Sequence, residues 1–288
     1  MFRKCNGPII IVNSLLLIII LVILFYNSIK YNSIEPYIDN IFVSSTELFD
    51  IINNSGYFNK FTQKDMNIRN CSNIKECNEL YKKNIIEFNN TQKNKLNNLI
   101  QKVNKILKDY RSLNNINWKF GFINTEIEEG LPHTHINIII LSTDFFNNSE
   151  EQQINTLIHE KIHIYQKKYM NKTESLYKSY NFIKQHKNNS NLRRTNPDLN
   201  NYTYSYNGKS FYSNYKKNSN SLKDIEIILE NNSNTENNSD NIVNINDFNK
   251  EPNKYEHPDE IFAYLLTEKI IDNDFNSNDT KLINYITN

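Results

Sequence analysis

The stretch Ile154-Asn155-Thr156-Leu157-Ile158-His159-Glu160-Lys161-Ile162-His163-Ile164-Tyr165 decides how the rest of the chain is read. Its apolar residues recur at helical spacing and predict a helix over about 150–170. With Ile154 at zero and steps of about 100°, Leu157, Ile158, Ile162, Ile164, Tyr165 and, further on, Tyr169 fall within about 80° of it, while His159 and His163 lie at about 140° and 180°. One side of the helix is therefore expected to be buried, with both His on the other. His159-Glu160-Lys161-Ile162-His163 fits the pattern H-E-x-x-H. Two imidazoles four residues apart share a helical face and can ligate one metal ion. Glu160 then stands beside the metal's water and can take its proton.

A third ligand must come from elsewhere. The extension H-E-x-x-H-x-x-G-x-x-H fails here, because Gln166 stands where Gly is needed and Tyr169 where His is needed. The remaining candidate segment runs Tyr255-Glu256-His257-Pro258-Asp259-Glu260-Ile261-Phe262-Ala263-Tyr264. Pro258 fits the first position of a helix reaching about Ile271, which puts Glu260 in its first turn. Capping and the helix dipole favour a Glu there without any metal. The only Ala of the chain, Ala263, lies three residues on, nearly on the same face, where a small side chain allows close approach to the motif helix. Glu260 is the leading third ligand, with Glu256, His257 and Asp259 as alternates.

Further elements place these residues in an α+β fold. Leu96, Leu99, Ile100, Val103, Ile106, Leu107 and Tyr110 predict an amphipathic core helix ending near Arg111. Asn117–Asn124 and His135–Ser142 read as strands, separated by a turn at Gly130 and Pro132. His133-Thr134-His135 precedes the second strand, and five of the six His fall at 133–135, 159–163 and 257. This strand is expected to edge a cleft and bind an extended substrate backbone, with His133 or His135 touching substrate or transition state. A second helix is expected over about 173–187, loop over 188–220, a strand or short helix at Ile225–Leu229, and an Asn-rich insertion at about 231–250.

The composition is skewed: 54 residues are Asn, and Lys supplies 28 of the 33 basic residues. Asn runs are therefore weak signals, and scarce residue types carry more information. A net charge of +1 and a pI near 7.6 argue against a nucleic-acid partner. Three Cys are too few for a disulfide scaffold, though Cys71 and Cys77 could close a small loop. Residues 9–26 are almost wholly apolar, and eighteen helical residues span roughly 27 Å, close to a bilayer core. The run exceeds a signal-peptide core, and no small-x-small site follows it. It is read as an uncleaved membrane anchor. Arg3 and Lys4 keep the N-terminus cytoplasmic, and the rest faces a lumen, the exterior or the space within a virion membrane. Lys30 on the far side opposes that orientation. The expected organisation is an anchor at 1–30, a polar stalk at 31–92 and a catalytic domain at 93–288.

At these residues the chain resembles the zincin metallopeptidases, in the gluzincin arrangement of H-E-x-x-H with a downstream helical Glu. The series Gly130-Leu131-Pro132-His133-Thr134-His135, then His159–Lys167, then Asn196-Pro197-Asp198, then Glu256–Tyr264 is similar to zinc peptidases of large DNA viruses. The resemblance covers about 95–275. It implies a small mixed sheet packed on helices, one zinc ion on His159, His163 and Glu260, Glu160 as general base, and a peptide or protein substrate. His133, His257, Tyr255 or Tyr264 would stabilise the oxyanion. The 97 residues from His163 to Glu260 depart from the compact gluzincin spacing. Two other readings stand beside it: an anchored structural or adhesion ectodomain braced by zinc, and a metal hydrolase acting on a non-peptide amide.

Overall fold

The abundant Asn, Ser and Thr residues set where helices begin. Ser44, Thr62, Asn73, Asn89 and Ser149 each accept a hydrogen bond from the N–H three residues on, at the start of five helices. The computed structural model describes residues 41–231 and 242–288. Its elements in order are α1 (Ser45–Asn54), α2 (Gln63–Ile68), α3 (Ile74–Asn84), β1 (Ile85–Ile86), α4 (Asn90–Ile106), α5 (Arg111–Asn114), β2 (Phe120–Ile123), β3 (His133–His135), β4 (Ile138–Ser142), α6 (Glu150–Lys168), α7 (Met170–Ser179), β5 (Ile183–Lys187), β6 (Tyr202–Tyr206), β7 (Lys209–Tyr215), β8 (Ile225–Asn231), α8 (Pro252–Tyr255), α9 (Pro258–Asp272) and α10 (Thr280–Thr287). The architecture is α+β. The anchor read at 9–26 and residues 232–241 of the Asn-rich stretch lie outside the described residues. Among the described ones, no helix is long and apolar enough to cross a membrane.

The first sheet has the order β1-β2-β4-β3, with β2 parallel to β4 and the two outer strands antiparallel to their neighbours. Every residue of β2 and β4 is buried. Successive side chains point to opposite faces, so both faces of these central strands are covered. α1 comes so close that a Cβ on Gly121 would stand 2.5 Å from Leu48 Cδ2. α6 packs against β3 and β4. The single strand expected over His135–Ser142 is instead a hairpin. It turns at Ile136-Asn137, pairing His135 with Ile138 and His133 with Ile140. The two-residue turn takes Ile136 to a φ of 55°, an unusual conformation for a β-branched residue.

The second sheet is an antiparallel meander, β5-β6-β7-β8. It corrects two expectations. The helix predicted over 173–187 ends at Ser179, and the loop predicted over 188–220 contains β6 and β7. Asn207-Gly208 makes their turn, with φ values of 48° and 76°, the conformation a tight hairpin needs. Tyr204, Tyr206, Phe211 and Tyr215 are buried with Phe182, which stacks on Tyr206 at 4.3 Å. Phe262 of α9 lies 4.8 Å from Tyr177 and 5.7 Å from Phe182, fixing α9 to this aromatic layer. α9 also runs against α6, with Ala263 fully buried. Tyr169, placed on the buried side by periodicity, is exposed where α6 ends.

Residues 43–92 do not form a stalk. Val43–Asn288 is one compact unit, so the boundary falls at 42/43 rather than 92/93. Leu48, Ile52, Tyr57, Phe58 and Tyr81 share a core with Ile123, Ile138 and Ile140. Cys71 and Cys77 are disulfide-bonded, with Cα atoms 5.2 Å apart. A buried polar knot adds long-range ties. Arg69 pairs with Asp65 at 3.0 Å and Glu128 at 2.9 Å, and donates to Thr195 O at 2.9 Å. Tyr57 and Tyr81 donate to Glu128, and Tyr215 donates to Asp65. Polar residues that bury one another leave no apolar periodicity, which is why this segment reads as a linker.

Candidate metal centre and cleft

α6 and α9 carry the three predicted ligands to one point. His159 Nε2 and His163 Nε2 are 3.0 Å apart, and Glu260 Oε2 lies 3.3 Å from the first and 3.5 Å from the second. Two zinc bonds of about 2.0–2.1 Å at a tetrahedral angle leave donor atoms roughly 3.3 Å apart. The three observed separations bracket that value, so the residues fit a small tetrahedral cation. The buried His-His-Glu group can hold a metal ion.

Neighbouring groups orient two of the three candidate ligands, His163 and Glu260. Gln166 Oε1 lies 2.8 Å from His163 Nδ1, so a proton at Nδ1 is held there and the Nε2 lone pair faces the cluster. The amide nitrogen of Gln166 donates to Asp259 O at 2.8 Å, tying α6 to the residue before Glu260. Asn196 Nδ2 donates to Glu260 Oε1 at 3.3 Å, leaving Oε2 for the imidazoles. Gln166 was noted in the sequence only as the wrong residue for a longer motif. Its position three residues past His163, on the ligand side of the helix, is the signal that could have marked it.

The imidazoles and the carboxylate of the cluster shift one another's titration in opposite directions. Burial opposes charge on His163, but Glu260 and Asp198 outweigh it and push its pKa up to about 10. Burial likewise opposes ionisation of Glu260, yet His163 and His159 hold it well below the usual carboxylate range. A cation bound here would displace a proton from His163. Glu160 differs: burial, then the negative charges of Asp198 and Glu260, push its carboxyl well above the ordinary value against the opposing pull of His163. Its Oε2 is buried with no hydrogen-bond partner.

His159, Glu160 and Glu260 line a cavity of about 540 Å³ together with His133, Asp198 and Tyr264. The Tyr264 ring meets His159 edge-on at 4.5 Å. Of the proposed oxyanion donors, His133 and Tyr264 therefore face the cleft. His257 does not line it. His257 caps α9, accepting from Asp259 N–H at 3.0 Å, and its other nitrogen lies 3.2 Å from Asn200 Oδ1. Tyr255 stacks on Phe248 at 5.3 Å. His135 lines a separate cavity, its ring edge-on to Tyr57 at 4.7 Å. Burial, then His133 and Lys167, lower its pKa well below the usual value. The alternate ligands are engaged elsewhere: Glu256 with Arg194 at 3.2 Å and Ser213 at 3.1 Å, Asp259 with Tyr177 at 2.5 Å.

The expectation that β3 offers a free edge to substrate is overturned at Thr134. Its N–H donates to Asp198 Oδ1 at 2.8 Å, and its carbonyl accepts from Lys167 Nζ at 2.8 Å. Lys167 also donates to Pro197 O at 2.9 Å and lies 3.3 Å from Asp198. In the sequence Asp198 stands only within the expected loop over 188–220 and in the Asn196-Pro197-Asp198 of the resemblance. Its role at the strand edge needed the three-dimensional arrangement.

The chain matches no family model, no curated protein and no solved structure.

Proposed function

We propose that this chain is a zinc-dependent metallopeptidase, anchored to a membrane through residues 9–26, with His159, His163 and Glu260 as zinc ligands. The observation that carries the reading is an unpartnered, buried Glu160 oxygen beside a His-His-Glu group that opens on a cavity. Zinc supplies Lewis acidity that brings the pKa of water toward about 7 and polarises a carbonyl. Glu160 takes a proton from water in the cleft and returns it to the leaving amine. His133 and Tyr264, which line the same cavity, would donate to the oxyanion. Glu256 is paired with Arg194 and accepts from Asn196, and Glu260 is the carboxylate grouped with the two imidazoles. An open cavity beside partly accessible His159 favours catalysis over a purely bracing metal, whose four positions would be filled by protein.

The test is metal analysis of the purified full-length chain, with and without Glu160→Gln, followed by assay on a peptide library. The expected result is close to one zinc per chain in both proteins and cleavage by the wild type alone. Less than about half an equivalent of zinc in folded protein, or an active Glu160→Gln, overturns the reading. The anchor is tested separately: alkaline carbonate releasing the chain from membranes would remove that part.

A further inference from the structure

The charges on the wall of the metal-site cavity do not cancel. Outside the His-His-Glu group and Glu160, its carboxylates are Glu128, Asp198, Glu256 and Glu268. Each has an answering cation: Arg69 for Glu128 at 2.9 Å, Lys167 for Asp198 at 3.3 Å, Arg194 for Glu256 at 3.2 Å and Lys254 for Glu268 at 2.7 Å. Lys223 lines the same cavity, and among the described residues its ammonium has no ion pair and no hydrogen bond. The unanswered charge on this part of the wall is a cation.

One side chain ties Lys223 to Arg194. Asn253 of α8 donates through Nδ2 to Lys223 O at 3.1 Å and accepts through Oδ1 from Arg194 Nη1 at 3.0 Å. The Lys223 N–H donates to Ser221 Oγ at 3.2 Å, so its backbone is fixed on both sides while its side chain stays exposed. Arg194, Lys223 and Asn253 all line the cavity. Arg194 uses only Nη1, on Asn253 and Glu256. Its Nη2 has no partner among the described residues and is not sealed from solvent. A guanidinium presents its donors as a planar fork that matches a carboxylate. The pair is also tied to the metal site. Glu256 Oε1, which meets Arg194, accepts from Asn196 Nδ2 at 3.0 Å, and the same Nδ2 donates to the candidate ligand Glu260 at 3.3 Å.

We infer that this pair selects the substrate: the cleft takes peptides that carry a carboxylate close to the scissile bond, with Lys223 Nζ and Arg194 Nη2 as its donors. This inference rests on the peptidase reading. Two sources supply the same chemistry, an Asp or Glu side chain and a free C-terminus. Lys223 and the open side of Arg194 gain a partner only from an acidic substrate. The corresponding amide leaves them unanswered, so the site discriminates against it.

The experiment uses zinc-loaded full-length protein and peptides of one Gln-rich sequence with a single Glu walked through it, each made with a free and with an amidated C-terminus. Products and kcat/KM are read by mass spectrometry. One Glu position, or the free C-terminus, should raise kcat/KM by about 10-fold or more over the amidated peptide that lacks Glu, the scale of a charge-assisted hydrogen bond. Dependence on a Glu position identifies the side chain as the source, and dependence on the free end identifies the C-terminus. Binding gives a second readout. Zinc-loaded Glu160→Gln protein should hold the favoured peptide about 10-fold more tightly than its amide counterpart in a calorimetric titration. Lys223→Glu, a change at an exposed side chain, should keep zinc and turn the preference toward a peptide with Lys at the favoured position. Where that variant fails to fold, Lys223→Met serves and should abolish the preference. Equal rates for acidic and amide peptides, or a preference that neither Lys223 variant alters, overturns the inference and spares the peptidase reading. No cleavage of any peptide by zinc-loaded protein overturns both.

Discussion

Glu128 and Glu160 are buried to the same extent and line the same cavity, yet their surroundings treat negative charge oppositely. Glu128 receives two hydrogen bonds from Arg69 and one each from Tyr57 and Tyr81. Burial opposes its charge, but Arg69 outweighs burial and lowers its pKa to about 2. Glu160 has one oxygen with no partner and lies near Asp198 and Glu260, and its pKa moves up. A saturated buried carboxylate holds elements together. An unsaturated one keeps a reactive atom in a place where folding gains nothing from it.

The sharpest way to break this contrast is to neutralise Glu160. Glu160→Gln keeps the shape and removes the basic oxygen. Turnover should fall by about 10²–10⁴-fold with zinc content unchanged, because a positioned general base contributes on that scale. Thermal unfolding should be no lower than that of the wild type, since the oxygen has no hydrogen bond to lose. A marked loss of stability would show that Glu160 belongs with Glu128 as a structural group.

The reciprocal change tests the other region. Arg69→Met leaves Asp65 and Glu128 buried without their cation. Removing one partner of a buried ion pair costs about 3–5 kcal/mol. Denaturant titration should show that loss, and the three ligands should still bind zinc at saturating metal wherever the protein remains folded. A shift under about 1 kcal/mol, the scale of an exposed pair, would deny the knot its structural role.

The two regions also differ in how far the sequence announces them. The motif helix and α4 follow from apolar periodicity, α9 follows from Pro258 at its first position, and helix geometry alone brings His159 and His163 together. Glu260 was legible from Pro258 and Ala263, two scarce residues that fix a helix start and a close approach. The Arg69 knot was not legible. Its members are Arg, Asp, Glu and Tyr spread from 57 to 215, each polar, so no local period marks them as core. Scarcity could still have flagged it, because Arg is only 5 of the 33 basic residues and Arg69 stands alone in its segment. The β6–β7 hairpin was readable from Asn207-Gly208 between alternating aromatics, but the Asn excess hid it.

Gln166 connects the contrast to the candidate metal site. It is buried, and both ends of its amide are used, like the groups around Glu128, but it holds a candidate ligand, His163. Gln166→Leu should weaken zinc binding by about 10–100-fold in a chelator competition, the usual cost of losing a ligand's supporting hydrogen bond. Gln166→Glu restores an acceptor at His163 Nδ1 and should recover most of that affinity. If the Leu variant binds zinc as tightly as the wild type, His163 needs no orienting partner and the clamp between α6 and α9 is incidental.

The smallest effect is a pH dependence, and its sign follows from Glu128. Its folded pKa of about 2 lies below the ordinary 4.5. The stability it contributes is therefore fully present above about pH 4.5 and is lost as the pH falls toward 2, where the folded state also takes up the proton. Between about pH 4.5 and 3.5 this single group accounts for a loss of about 1 kcal/mol. Other paired carboxylates titrate in the same range, so the informative quantity is a difference. Glu128→Gln should be less stable than the wild type at neutral pH and should lack about 1 kcal/mol of the acid-induced decline across that interval. Identical slopes for the two proteins would mean that Arg69 does not hold the Glu128 proton off. The two carboxylates would then differ in partners but not in the ease of carrying charge.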